Sequence, residues 1–390
     1  MVTLYDVARE AGVSTATVSR VVHGQDKVRE STRLRVKQVI EHLGYVPDGA
    51  AQSLSRRRKE IIGFVCVESH ARQYDVENMN LLYYDEVMRG VGAAISDRGW
   101  SLLITYLGGE DERDFGRLRT LSGKVDGILI GQGVVPSPVL ARLAERVPVV
   151  VIAGSPAERT VDVVTADNRS GSAALVRHLV EAHGRRRLFH VDGAPSVADA
   201  RERRLGLERV LRAHPGCRII GSYQGEFSVQ SGVEAGESLL SRHRGALPDA
   251  VVAANDQMAI GVLQTLAQAG VTVPGDVAVV GFDDIYPGSL SDPPLTTVHQ
   301  PMRLLGEHAC IRLLDCITRP GQRPRAEVLP TELVLRSSCG CPPGTMIREP
   351  VRPLRGSRPG RQASGLPEAA SGGRKQQPGQ PPRVPEPTAS

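Results

Sequence analysis

Carboxylates and amides recur directly after short apolar runs: Glu68 and Ser69, Asp167 and Asn168, Asp192, Asn255 and Asp256, Asp283 and Asp284. Converging on one cleft, such groups pair the hydroxyls of a small polyol and leave few buried polar atoms unsatisfied. Arg203 adds a planar fork for two neighbouring oxygens. A strand-end Asp or Asn also commonly caps the following helix, and that alternative stands beside the first, above all for Asp256 and Asp284. Catalytic spacings are missing from the sequence. It contains no G-x-S-x-G, H-E-x-x-H or G-x-G-x-x-G, and Gly123 with Lys124 lacks both the upstream Gly and the following Ser/Thr of a phosphate loop. The six cysteines form no C-x-x-C pair; Cys339 and Cys341 are separated by one residue, Cys310 and Cys316 lie further apart, and the ten histidines show no ligand spacing. Buried or incidental thiols are the expectation, with no metal, no cofactor and no enzyme activity.

The elements that must position these residues follow from alternation. Strands are predicted at 61–67, 102–106, 125–130, 147–152, 161–165, 188–191, 250–254 and 277–282, with helical patterns at 84–97, 171–181, 201–211, 232–240, 258–269 and 303–317. Strand–helix alternation predicts parallel sheets covered on both faces, with ligands bound outside the carboxyl ends of the strands. A single barrel leaves the late apolar stretches 295–298 and 327–335 unexplained. Two open lobes with a returning chain account for them: a first lobe of about 61–164 plus 293–322 and a second of about 165–292 plus 323–341.

The first 60 residues read differently. Leu4, Val7, Ala8 and Ala11 fall on one helical stripe, with Thr3 and Asp6 as a capping-box-like start and Gly12 as a stop. Ser14 opens a second helix whose inner face is Val18, Val21 and Val22, and a third runs from about Thr32. Two short helices joined by a Gly-containing turn form a helix-turn-helix, whose second helix enters a major groove. Arg20 suits guanine edges, Thr15 and Ala16 suit thymine methyls, and Ser14, Thr17 and Ser19 suit phosphate oxygens. A segment at 47–60 follows, with a short conditional helix and the cations Arg56, Arg57, Arg58 and Lys59. Leu54 within it is either ordinary packing or a wedge between base steps.

Charge agrees with this division. The net +5 separates into +4 over residues 1–60, −4 over 61–341 and +5 over 342–390, a distribution that points to a polyanion at one end. The last 49 residues hold 11 of the 27 prolines, no aromatic residue and only Leu354 and Leu366 as leucines; a disordered tail from 342 is the expectation. No apolar run approaches the roughly 18 residues of a membrane span, and Asp6, Arg9 and Glu10 exclude a signal peptide at the start. A cytoplasmic protein with no membrane partner is expected.

The run 2–23, VTLYDVAREAGVSTATVSRVVH, resembles the headpiece of the LacI/GalR family of bacterial transcription regulators, with GYVP at 44–47 and AQSL at 51–54 extending the match. ANDQMA at 254–259, VGFDD at 280–284 and PLTTVHQ at 294–300 resemble the family's effector domain, so the resemblance spans about 2–339. It implies an all-α helix-turn-helix headpiece (1–46), a hinge (47–60) and an α/β body (61–341) of two Rossmann-like parallel-sheet lobes, periplasmic-binding-protein-like. It also implies that Thr15, Ala16 and Arg20 read bases and that Leu54 intercalates. Tyr5, Ser14, Thr17, Ser19, His23, Thr32, Tyr45, Ala51 and Gln52 would touch the DNA backbone. Asn168, Arg203, Asn255, Asp283 and Gln300 would hold a small-molecule effector, a sugar or sugar derivative. Tyr74, Tyr83 and Phe282 offer stacking faces for a sugar ring, with core packing the favoured alternative for each. Two departures stand out: Asp48 and Gly49 at the hinge start, and the loop 68–82. The implied function is repression by a homodimer on double-stranded operator DNA; a solute-binding protein of a sugar transporter shares the two-lobe fold but lacks such a headpiece.

Overall fold

The computed structural model describes residues 2–22, 27–46, 58–67, 80–107, 112–131, 134–243 and 245–354. Residues 47–57 of the expected hinge (47–60), 68–79 of the loop 68–82 and 355–390 of the expected tail (342–390) lie outside the described residues.

The headpiece is built from α1 (Leu4–Glu10), α2 (Thr15–Val22) and α3 (Glu30–Leu43). Thr3 Oγ1 accepts the Asp6 N–H at 3.3 Å while Asp6 Oδ2 accepts the Thr3 N–H at 2.9 Å. This reciprocal pair satisfies donors that a helix start leaves open. Gly12, at φ +63°, turns the chain towards α2 in a conformation that side-chain-bearing residues rarely adopt. Val7, Val18 and Val36, one from each helix, are fully buried. Three helices too short to stand alone thus share one core.

The body opens with β1 (Ile61–Val67), α4 (Asn80–Ile95), β2 (Ser101–Leu107), α5 (Glu112–Ser122), β3 (Gly127–Gly131), α6 (Ser137–Ala144), β4 (Val149–Ile152) and β5 (Asp162–Ala166). It continues through α7 (Asn168–Glu181), β6 (Arg187–Asp192), α8 (Ala198–Ala213), β7 (Arg218–Gln224), α9 (Val229–Arg242), β8 (Ala250–Ala253), α10 (Asp256–Gln268), β9 (Ala278–Val280) and α11 (Tyr286–Leu290). It returns through β10 (Thr297–His299), α12 (Met302–Thr318), β11 (Ala326–Leu329), β12 (Glu332–Leu335) and β13 (Ile347–Pro350).

The first lobe's sheet is wholly parallel, in the order β11-β5-β4-β3-β1-β2. Its central strands β3, β4 and β5 are buried along their whole length, as parallel strands covered by helices on both faces must be. Across one face, α4 and α12 pack closely because Gly90 and Gly306 face each other's helix; a Cβ on Gly90 would overlap the carbonyl of Arg303, and one on Gly306 the carbonyl of Val87. Buried Arg312 ties α12 to β5 through Asp162 Oδ1 at 2.7 Å.

The second lobe's sheet runs β7-β6-β8-β9 in parallel. Single bridges, Val280 to Thr296 and Asp283 to His299, carry it on to β10, and β10-β12-β13 continue antiparallel. The chain therefore passes between lobes at Asp167, at Gln300–Pro301 and at Pro330–Thr331, each time in one or two residues.

Three expectations need correction. The stretch 327–335 is not one strand: Pro330, which has no N–H to donate to a ladder, separates β11 in the first sheet from β12 in the second. The lobe division moves with it, since 326–329 joins the first lobe and 297–299 the second. The tail is not disordered from 342. Residues 347–350 form β13 against β12, Val351 N–H donates to Thr331 O at 3.0 Å, and Leu354 N–H donates to Ser170 Oγ at 3.0 Å, with Val351 and Leu354 packed on the second lobe's core. Composition misses this because two aliphatic side chains and a ladder on an existing edge suffice to order a short segment. Among the described residues, no helix is long and apolar enough to cross a membrane.

Candidate functional site

Two surfaces hold the residues singled out by the sequence. On the headpiece, Ser14 Oγ accepts the Thr17 N–H at 3.3 Å and caps α2, so its hydroxyl serves the helix start. Val18 and Val21 face inward, Ala16 and Arg20 are exposed, and Thr15, Thr17 and Ser19 are half-buried beside them. That is the face of small, hydroxyl-bearing and cationic groups that a major groove accepts. Tyr5 on α1 is 75% exposed. Thr32 and Tyr45 are half-buried, with Tyr45 packed on the three-helix core. His23, Ala51, Gln52 and Leu54 lie outside the described residues.

In the body, Asn168, Arg203, Asp283 and Gln300 come together in one buried network. Arg203 Nε donates to Asn168 Oδ1 at 2.8 Å, and Nη1 donates to the Ala254 carbonyl. Nη2 pairs with Asp283 Oδ1 at 3.1 Å and reaches Gln300 Oε1 at 3.4 Å. Gln300 Nε2 donates in turn to Asp283 Oδ1 at 3.3 Å. Asp199, missed in the sequence reading, completes the set: it accepts from Asn168 Nδ2 at 2.9 Å and lies 3.6 Å from Arg203 Nη2. It stands four residues before Arg203 on α8, the spacing at which helical neighbours meet, so the signal was present.

Burial pushes the Asp199 carboxyl up to about 6, against the pull of Arg203. Burial likewise raises Asp283 to about 6, opposed by Arg203 and reinforced by Asp199. Asp283 also adopts φ +120°, left-handed backbone that a non-glycine residue holds only under constraint. Tyr83 of α4 brings the first lobe to this cluster. Its hydroxyl is buried without a hydrogen-bond partner among the described residues, and burial, then the charge of Asp199, raise it well above an ordinary tyrosine.

Asn255 behaves differently. Its Oδ1 caps α10 through the Met258 N–H at 3.0 Å and its Nδ2 donates to the Phe227 carbonyl at 3.1 Å. Asp167 caps α7 in the same way. Asp256 and Asp284, for which capping was the open alternative, cap nothing. Asp256 accepts from Thr297 Oγ1 at 2.6 Å and Ile285 N at 2.9 Å. Asp284 accepts from Arg336, Arg348 and His299. Asp192 is held by Arg204 at 2.7 Å and by the Gly193 N–H. Phe282 lies under Arg203 and is itself buried. Glu68, Ser69 and Tyr74 lie outside the described residues. His178 and His183, whose H-x4-H spacing the sequence reading passed over, face Cys339 and Cys341.

Residues 3–48 match the bacterial regulatory proteins of the lacI family, and residues 176–339 match the periplasmic binding protein-like domain. The chain is 34% identical over 336 residues to the ribose operon repressor of Escherichia coli (strain K12), covering 85% of this chain and 98% of the relative. It is 36% identical over 344 residues to the HTH-type transcriptional regulator CelR of Thermobifida fusca, covering 86% and 98%. Among solved structures, the Lac repressor dimer bound to operator and the anti-inducer ONPF superposes with a TM-score of 0.76 at 28% identity, covering 87% of this chain and 99% of that one. The CelR–cellobiose complex gives 0.62 at 33% identity, covering 87% and 100%. The chain belongs to the lacI family of bacterial regulatory proteins. It is a DNA-binding transcriptional regulator with a helical headpiece and a two-lobe α/β body.

Proposed function

We propose that the chain is a repressor, acting in the bacterial cytoplasm as a homodimer on a near-palindromic operator, whose DNA affinity is set by a sugar or sugar derivative bound between the lobes. Thr15, Ala16 and Arg20 read bases. Tyr5, Ser14, Thr17, Ser19, Thr32 and Tyr45 position the headpiece on the backbone, and His23, Ala51, Gln52 and Leu54 belong to the same surface by sequence. Asn168, Arg203, Asp283 and Gln300 hold the effector, with Asn255 at the margin of the set. The reading includes no catalytic step.

The observation that carries this reading is the buried Arg203 network beneath Tyr83. It places amide, carboxylate and guanidinium groups, all oriented by one another, beside a hydroxyl of the opposite lobe. A polyol replaces these internal bonds with its own hydroxyls and links the two lobes. The coupling required is modest, about 1–3 kcal/mol. Exposed apolar side chains on the edge strand β2 (Leu103, Ile104 and Tyr106) and on α11 (Tyr286 and Leu290) support self-association. The test is a gel shift on the DNA upstream of the protein's own gene, with and without a panel of sugars. The expected result is a complex whose stability one sugar changes; a complex indifferent to every sugar at millimolar levels overturns the effector assignment.

A further inference from the structure

We propose that His178, His183, Cys339 and Cys341 form a structural zinc site that fastens the segment leaving β12 to the end of α7. His178 lies in the last turn of α7, and His183 follows just beyond the helix end. Cys339 ends a single 3-10 turn, Ser337–Cys339, and Cys341 lies two residues on. The ligand atoms of all four lie within 4.8 Å of one another. The two Nε2 atoms are 3.1 Å apart. Cys339 Sγ is 3.6 Å from each Nε2, and Cys341 Sγ is 3.5 Å from each.

These five distances match five edges of a coordination tetrahedron, and the sixth, between the two sulfurs, lies within 4.8 Å. Zinc–sulfur bonds of about 2.3 Å and zinc–nitrogen bonds of about 2.05 Å at tetrahedral angles put N and N about 3.3 Å apart and N and S about 3.6 Å apart. Hydrogen bonding accounts for the cluster less well. Two imidazole nitrogens facing each other can share only one proton, and thiols are weak donors. Two thiolates and two neutral imidazoles around a divalent zinc leave no net charge, which suits a half-buried site. Two thiol protons pass to solvent as the metal enters, and no electron is transferred. Four protein ligands close the sphere, the arrangement of a structural and not a catalytic zinc.

The surroundings are built for this geometry. Gly340, between the cysteines, adopts φ +116°, and a Cβ there would lie 3.1 Å from His183 Nδ1; the turn that brings both sulfurs to one side needs this residue. Thr296 Oγ1 lies 3.2 Å from Cys339 Sγ and 2.8 Å from the Arg336 carbonyl, so a thiolate there competes for its single proton. Ser338 Oγ donates to the Val279 carbonyl at 2.6 Å and accepts the Thr296 N–H at 2.8 Å, holding the 3-10 turn on β9. H-x4-H falls within the usual spacing for zinc histidines.

The experiment uses the full chain, purified with a reductant, incubated with zinc chloride and desalted. Metal content, cobalt substitution and thermal unfolding are measured for the wild type, Cys341→Ser and His183→Gln. The wild type should retain about one zinc per chain, show the absorption of a tetrahedral cobalt thiolate, and unfold at lower temperature after chelation. Both variants should lose the metal and show no chelator effect. Cys341 and His183 are partly exposed, so these variants are the ones expected to fold. A wild type that retains no zinc under reduction, or variants that retain as much as the wild type, overturns the site. So does a Cys339–Cys341 disulfide that survives the reductant.

Discussion

The guanidinium carbon of Arg203 lies 3.8 Å from the centroid of the Phe282 ring, so the cation that gathers Asn168, Asp283 and Gln300 is stacked as well as hydrogen-bonded. Arg203→Ala removes the stack and leaves Asp199 and Asp283 buried without their counter-charge. The variant should bind operator and ignore the effector. It should also lose about 3–5 kcal/mol of stability near neutral pH. Both carboxyls are already raised by burial, and without Arg203 they rise further. Stability tied to a raised carboxyl is present at low pH and is lost as pH climbs through the folded value. The defect should therefore shrink towards about pH 5, as urea unfolding across pH will show.

Arg20 is exposed on α2 beside the exposed Ala16. Arg20→Ala should cost about 1–3 kcal/mol of discrimination between the operator and the same site altered at one guanine. Competition binding with the two duplexes measures it. Equal loss on both would assign Arg20 to the phosphates.

Burial, then Asp283, push the Asp256 carboxyl up to about 7, outweighing the hydrogen bonds from Thr297 and Ile285. The folded protein thus holds a proton that the unfolded chain, with its carboxyl near 3.8, has released. The associated stability is present below the unfolded value and is lost as pH rises through about 7. Asp256→Asn removes the charge and keeps a carbonyl to accept from Ile285, while its amide replaces the oxygen that accepts from Thr297 Oγ1, so the Thr297 hydroxyl must turn to accept. It should be more stable than the wild type at about pH 8, and that advantage should shrink by on the order of 2–3 kcal/mol towards about pH 5 and vanish only below the unfolded value. Thermal melts at both pH values decide.

Two glycines on α4 should respond oppositely to alanine. A Cβ on Gly92 meets nothing within 4 Å, so Gly92→Ala should stabilise by about 0.5–1 kcal/mol. Gly90 lies against the Arg303 carbonyl, so Gly90→Ala should destabilise by about 1–3 kcal/mol. Denaturant midpoints of the two variants provide the comparison.

A chain ending at Cys341 should be less stable than one ending at Leu354, by on the order of 2–4 kcal/mol, because β13 and the packing of Val351 and Leu354 are lost. Equal melting temperatures for the two truncations would mean that the segment adds nothing to the second lobe.

What the sequence discloses tracks burial and locality. β3, β4 and β8 are apolar throughout because helices cover both faces of their sheets, and their runs read directly as strands. β7 is an edge strand with mixed polar and apolar residues, mostly half-exposed, and gives no such signal. β13 is exposed along its whole length and sits in proline-rich sequence. Arg203 and Asp283 stand at legible positions, at a motif or a strand end. Asp199 carries a legible signal in its place one helical turn before Arg203, but its bond to Asn168 emerges only when α8 is placed against α7. His178 and Cys339 are about 160 residues apart, and local spacing carries no trace of their meeting.

The passages between the lobes are short: Asp167, Gln300–Pro301 and Pro330–Thr331. Three tethers of one or two residues forbid the lobes to part and leave rotation as the soft motion. Asn168 adjoins the first tether and Gln300 belongs to the second. The network around Arg203 is therefore seated at the fulcrum, where a displacement of a fraction of an ångström is magnified with distance along each lobe. A ligand working there has a mechanical advantage: it needs to move almost nothing locally to change the spacing of whatever the far ends of the lobes carry.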